Sequence, residues 1–343
     1  MPRCSRIWTG HGWLTIRTIQ GMPTSPGSVE RLPHDRSHLL CEDGQFDKPS
    51  RMLLDSIDRW TSAMLEDDLA EDNGFGENVV GKVFSRNRGV IAGRYAVERM
   101  IGKEFHSCSV SWHIGEGQMV GSGDQILSIE GPSEAVLKCE RVLLNIVSRM
   151  SGIATETAEW LNASEGFPVA CTRKTEWGLL DKWAVHVGGG LTHRLNREDA
   201  PLIKENDLAV LEFGSGNGIS SVASAVKGVD FEKDSAFCIV EVCDVGQALE
   251  AATVWSECQK DRGGCEKIVL LLDNMGPSLS SMASAELVRE GLRNWCILEG
   301  SGGVNRGNLR DWVSDSDVDL VSSSAVNMGV TPLDISMIIG GSR

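Results

Sequence analysis

No stretch of the chain approaches the roughly 18 uninterrupted apolar residues of a membrane-spanning helix, so an integral membrane protein is not expected. Zinc-type spacing is missing too. The ten cysteines contain no CxxC pair, and the nearest neighbours, Cys238 with Cys243 and Cys258 with Cys265, have the wrong separation for zinc. Scattered buried thiols in a reducing cytosol are the expectation, not a disulfide framework. Positive charge is scarce: 33 Lys and Arg stand against 48 Asp and Glu, a formal net charge of −15. That balance argues against general nucleic-acid binding, whose affinity rests on basic surface. An anionic ligand would have to meet a local concentration of cations instead.

What is present suits a soluble globular protein. At 343 residues and 41% apolar, the chain can bury the core of one large domain or two ordinary ones. Residues 1–51 stand apart. They hold Arg3, Arg6 and Arg17 with no acid before Glu30, as an organellar presequence would. Gly10, Gly12 and Gly21 interrupt the amphipathic helix such a presequence needs. The expectation is a disordered extension or an overlong start, with Met22 or Met52 as the better beginning, and a cytoplasmic location.

From Met52 the pattern becomes regular. Leu53, Leu54, Ile57, Trp60, Met64, Leu65 and Leu69 recur at helical intervals, ending at the break "EDNGFGENVVG". Strand-like segments follow in "GVIAG", "HSCSVSWHI" and "GQMVGSGDQILSIEG", which predicts an α+β region with tight turns. A long helix opens at Ser133 as N-cap, with an interruption expected at Gly152.

The second half alternates short apolar runs with helical patterns. "PVACT", "LIKE", "FCIVEV", "KIVLLLD", "WCILEG" and "VDLVSSS" read as strands buried on both faces, hence parallel and covered by helices. Each ends in a polar or charged residue: Arg173, Lys204, Glu241, Asp273, Ser301 and Ser322. Charged residues also cap strands that simply exit to solvent. Six such ends with complementary chemistry favour the active-site end of an α/β barrel.

Around "TRKTEWG" the scarce cations concentrate: Arg173, Lys174, His193, Arg194 and Lys204 lie within about thirty residues, a cluster suited to a small polyanion. Gly188–Gly190 would let backbone approach a ligand or pack tightly before His193. Taken in order, "ERVLLNIVSRMSGIAT", "TRKT", "GGGLTHR", "LIKEN", "VEV", "LLDNM", "EGSGG" and "LDIS" resemble the quinolinate phosphoribosyltransferase family, from about Met52 to Ile338. The resemblance implies an incomplete or distorted α/β barrel over 164–332. An α+β open-faced sandwich domain over 52–163 precedes it, with 333–343 packed on that domain.

It also implies phosphoribosyl transfer from phosphoribosyl pyrophosphate to quinolinate with decarboxylation, giving nicotinate mononucleotide for NAD biosynthesis. Lys174, Glu241 and Asp273 would be the catalytic residues. Arg141, Thr172, Arg173, His193, Arg194 and Lys204 would bind quinolinate, with Arg141 supplied by the neighbouring subunit of a homodimer or higher homo-oligomer. Lys174 would face both substrates, while Glu241 and Asp273 would hold the ribose hydroxyls and Mg²⁺. Ser301, Gly302, Gly303, Ser322, Ser323 and Ser324 would bind the 5′-phosphate. Departures from the family pattern are Trp177 for proline, Thr192 for asparagine, Asp207 for histidine, Ile239 for an acid, Gly300 for alanine and Ser324 for glycine.

Three rivals can be set against this reading. A nicotinate-using relative would leave several of the cations without a carboxylate to pair. Molybdenum-transport relatives tend to lose the lysine at Lys204. A non-catalytic anion-binding protein would have no use for Glu241 and Asp273.

Overall fold

In a computed structural model of the chain, the described residues are 6–9, 12–15, 32–42, 46, 48–204, 222–229 and 237–341. Met22 and Asp207 lie outside them. The chain divides into two units. One comprises Met1–Asp35, Trp160–Val169 and Arg197–Ser322; the other comprises Arg36–Glu159, Ala170–Asn196 and Ser323–Arg343. Two short strands, β1 (Arg6–Thr9) and β2 (Gly12–Thr15), pair antiparallel in the first.

In the second unit the apolar stripe of the 50s and 60s becomes the helix Arg51–Asp67, capped by Ser50, whose hydroxyl accepts from the Leu53 N–H. It buries Leu53, Ile57, Thr61 and Leu65. Strands β3 (Asn78–Ser85), β5 (Ser109–Trp112) and β7 (Gln125–Pro132), with the last strand β14 (Ile335–Gly341), form an antiparallel sheet in the order β14-β3-β7-β5. A small pair, β4 (Gly89–Val90) with β6 (Met119–Val120), lies outside it. Strand β3 begins inside the segment read as a helix break. Its Gly81 conceals the strand signal and has a packing reason, since a Cβ there would fall 2.7 Å from Met337 Sδ.

The helix from Ser133 runs unbroken to Ala163. Gly152 does not interrupt it, contrary to expectation. The missing side chain instead admits a neighbouring strand of chain, as a Cβ would sit 2.5 Å from the Thr331 carbonyl oxygen. Ser151 and Thr155 on the same helix bind the backbone of Ala92 and Val90.

The parallel sheet has the strand order β8-β13-β12-β11-β10-β9, and β9 to β12 lie wholly in the first unit. The sheet's strands are β8 (Val169–Cys171), β9 (Leu202–Ile203), β10 (Ile239–Val242), β11 (Ile268–Asp273), β12 (Cys296–Ser301) and β13 (Leu320–Ser323). All six apolar runs of the sequence appear as strands. Among the described residues the order stays open between β8 and β9, which makes an incomplete barrel. Helices Val245–Arg262, Gly276–Arg289 and Leu309–Asp315 connect the strands.

The boundary expected at residue 52 falls too late. His34, Ser37, Leu40 and Cys41 are buried. In the first unit His34 Nε2 lies 2.9 Å from Glu299 Oε2 on β12, and its ring lies against Phe237. In the second, the Arg36 N–H donates to Thr192 Oγ1 at 2.9 Å. The described cysteines form no disulfide, and burial pushes the Cys238 and Cys296 thiols up to about 12.

Candidate active site

Register fixes which side chains share a face of the parallel sheet. Glu241 pairs with Leu271, Leu271 with Glu299, and Asp273 with Ser301. Side chains alternate along a strand, so Glu241, Asp273, Glu299 and Ser301 share one face. The other face is fixed by Gly300, which packs directly against the Trp312 ring of an outer helix. The acid and hydroxyl set therefore points into the barrel. Lys204 follows the end of β9 and forms an ion pair with Glu241 Oε2.

Asp273 ends β11, and its Oδ2 accepts from Asn274 Nδ2 at 2.7 Å. Asn274 has left-handed backbone, φ 56°, and its N–H donates to the Ser301 carbonyl. Gly302 is required there, because a Cβ would fall 2.4 Å from Asn274 Oδ1, and its φ is 87°. Beyond it, the Gly303 carbonyl accepts from the side-chain amides of Asn305 and Asn308. The glycine turn expected to hold phosphate is thus shaped by three asparagines that motif reading passed over. The signal was visible in "DN" after an apolar strand and in "VNRGN" after the glycines. Ser322 Oγ on β13 is buried and finds no partner among the described residues.

By itself, the second unit carries Arg173, Lys174, His193 and Arg194. Thr172, Arg173 and Lys174 follow β8 as a turn, with the Lys174 N–H on Thr172 Oγ1 at 3.2 Å and the Lys174 carbonyl accepting from Asn327 Nδ2 at 2.8 Å. Arg173 and Lys174 are exposed and have no ion-pair partner among the described residues. In a chain of net charge −15 that is a deliberate local excess. His193 and Arg194 are buried, and His193 carries a left-handed backbone, φ 58°. The triple glycine before them serves packing. A Cβ on Gly188 would meet the Ala154 carbonyl at 2.4 Å, and one on Gly190 would meet Thr157 at 2.7 Å.

Ser323 accepts from the Ala325 N–H, and Ser324 begins a short 3-10 turn with ordinary backbone. Arg141 is exposed on the long helix, away from any described ion pair, on the face that also exposes Leu137 and Asn145.

Trp177 lies against the Trp60 ring, with centroids 6.5 Å apart, and the Arg149 guanidinium stands 4.9 Å above it. Arg149 in turn pairs with Glu176 at 2.7 Å and with Asp181 at 3.1 Å. No cluster of three or more His, Cys, Asp or Glu among the described residues could hold a metal alone. Glu241 and Asp273 offer oxygen donors on neighbouring strands, which fits Mg²⁺ when substrate phosphates and water complete its shell.

Carboxylates, a lysine and a glycine turn at the carboxyl ends of parallel strands mark a barrel enzyme. Residues 61–151 match the quinolinate phosphoribosyl transferase N-terminal domain and residues 153–338 match its C-terminal domain. A probable nicotinate-nucleotide pyrophosphorylase [carboxylating] from Methanothermobacter thermautotrophicus is 34% identical over 78% of this chain and 90% of its own. The chloroplastic nicotinate-nucleotide pyrophosphorylase [carboxylating] of Arabidopsis thaliana is 30% identical over 79% and 80%. Among solved structures, NadC from Streptococcus pyogenes has a TM-score of 0.69 at 28% identity, covering 84% of this chain and 97% of that one. The chain belongs to the quinolinate phosphoribosyltransferase family.

Proposed function

We propose that the chain transfers the phosphoribosyl group of phosphoribosyl pyrophosphate to the ring nitrogen of quinolinate and releases the 2-carboxylate as CO2. The carrying observation is the Arg173–Lys174 turn: two exposed cations, held by backbone hydrogen bonds and lacking any carboxylate partner among the described residues. Such a turn suits a dianion. Arg173, His193, Arg194 and Lys204, with Thr172, bind the quinolinate carboxylates, and Lys174 serves both substrates. Arg141 completes the set from the second subunit of a homodimer or larger homo-oligomer.

As the C1′–pyrophosphate bond breaks, the electron pair leaves with pyrophosphate and positive charge develops on the ribose. The inward-facing Glu241 and Asp273 stabilise that charge and bind the ribose hydroxyls. Asn274 holds the Asp273 carboxylate in place for this task. Mg²⁺ on Glu241 and Asp273, directly or through water, would neutralise charge on the departing pyrophosphate. The ring nitrogen closes on C1′ and becomes cationic. The C2–carboxylate bond then breaks, its electrons resting on C2 beside that cation until a proton is taken up, so no separate electron sink is required. Ser301, Gly302 and Gly303, with Ser322 to Ser324, receive the 5′-phosphate, and the unpartnered Ser322 hydroxyl is available to donate.

No helix among the described residues is long and apolar enough to cross a membrane. The cytoplasmic location is part of the same reading, carried by ten scattered cysteines whose spacing suggests no disulfide framework. The test is purified protein with phosphoribosyl pyrophosphate, Mg²⁺ and either quinolinate or nicotinate. Nicotinate mononucleotide and CO2 from quinolinate are expected. Turnover of nicotinate with none of quinolinate would overturn the reading.

A further inference from the structure

Lys182 is a charged side chain in the wrong place for a surface lysine. It sits on the helix Leu179–Val187 and is 1% exposed. A buried ammonium is costly unless its donors are satisfied, and no carboxylate accepts from this one among its described hydrogen bonds. Its three donors have three acceptors: the Thr172 carbonyl at 2.7 Å, the Thr192 carbonyl at 2.8 Å and Cys171 Sγ at 3.2 Å. The two carbonyls belong to the residues immediately before Arg173 and His193. One ammonium therefore fixes the peptide planes that lead into both cationic loops.

We infer that Lys182 is a positioning residue for the acceptor dianion, tying the Thr172–Lys174 turn to the Thr192–Arg194 turn so that their cations are held in register. The inference rests on the functional reading above and deepens it. A leucine or methionine would fill the same volume without the cost of burying charge, so packing alone does not explain a lysine. The left-handed backbone of His193 adds a reason, since such a conformation persists only where its surroundings hold it. Lys182 supplies that hold through the preceding carbonyl. Asn327 performs the matching task at the far end of the first turn, on the Lys174 carbonyl. The groups expected to bind phosphoribosyl pyrophosphate at Glu241, Asp273 and Ser301 receive nothing from Lys182 among its described contacts, so its loss should fall mainly on quinolinate and reach phosphoribosyl pyrophosphate only through Lys174.

The experiment is calorimetric titration of the full-length wild type, Lys182→Met and Lys182→Arg, each with quinolinate and with phosphoribosyl pyrophosphate plus Mg²⁺. Circular dichroism establishes folding. Wild-type protein that binds no quinolinate would overturn the functional reading and this inference with it, a result separate from any variant's behaviour. Given wild-type binding, Lys182→Met is expected to weaken quinolinate at least about tenfold, or about 1.4 kcal/mol, while phosphoribosyl pyrophosphate changes less than about threefold. Lys182→Arg, which keeps charge and donors, should recover part of the loss. Equal weakening of both ligands, or unchanged quinolinate affinity in folded Lys182→Met, would overturn the assignment. If Lys182→Met does not fold, a smaller quinolinate-only loss in Lys182→Arg supports it. Wild-type quinolinate affinity in Lys182→Arg, or its failure to fold, then overturns it.

Discussion

Gly300 shows how a family departure can be read as a packing exchange. A Cβ at this position would lie 2.4 Å from the Trp312 ring, which is buried on the outer side of β12. The alanine usual in the family has no room while the indole occupies that space. Gly300→Ala is therefore expected to destabilise the protein by about 1–3 kcal/mol through overpacking, visible as a lower melting temperature. Melting unchanged from wild type would show that the indole can move aside. Other departures also have local partners. Thr192 spends its hydroxyl on the Arg36 N–H, and Trp177 is fixed between Trp60 and Arg149. A proline would restrict that turn through its own ring, whereas this chain restricts it through contacts.

At the scale of elements, legibility in sequence followed burial. The six parallel strands were readable because a strand covered on both faces must be apolar throughout. β3 was not, because Gly81 accommodates Met337, a residue far along the chain. Gly152 misled for the same reason, its neighbour being the backbone at Thr331. The cations and carboxylates of the candidate site carry their own chemistry and were legible from type and order. Lys182, Asn274 and Asn327 were not, since each acts on a partner that only the fold brings near. The pairing of helix Arg51–Asp67 with helix Arg94–Glu104 gives an element-level prediction. Arg99 donates twice to Asp58, at 2.7 and 2.9 Å, and Lys103 adds a third bond. Chiefly through Arg99, the Asp58 carboxyl is lowered from 3.8 to about 2. Its folded value lies below its unfolded one, so the stabilisation is present above about pH 4 and fades as pH falls towards 2. Partial exposure of all three groups holds the net worth to about 1 kcal/mol. Urea unfolding should find Asp58→Asn less stable than wild type at pH 7 and nearly equal to it near pH 2. A difference that persists at low pH would refute the electrostatic account.

At the scale of the whole molecule, a net charge of −15 makes the long-range field repel anionic substrates, so their capture depends on cations concentrated at one place. Arg141 is the member of the proposed set that lies apart from the others along the chain, on the long helix. It is exposed there, four residues from the 55%-exposed Leu137 and four from exposed Asn145. An apolar and an amide side chain flanking an arginine along one helical face suit burial against a second subunit. If Arg141 serves the partner's site, Arg141→Ala and Lys174→Ala homodimers are each inactive, but a mixed dimer regains one site with both groups intact. Equal amounts with free subunit exchange would then recover about one quarter of wild-type activity, since half the dimers are mixed and each carries one good site. Exchange is verified by native mass spectrometry, and activity is read as nicotinate mononucleotide formed from quinolinate. Mixed dimers with no activity would place Arg141 outside the partner's site and leave the dianion to the cations of a single chain.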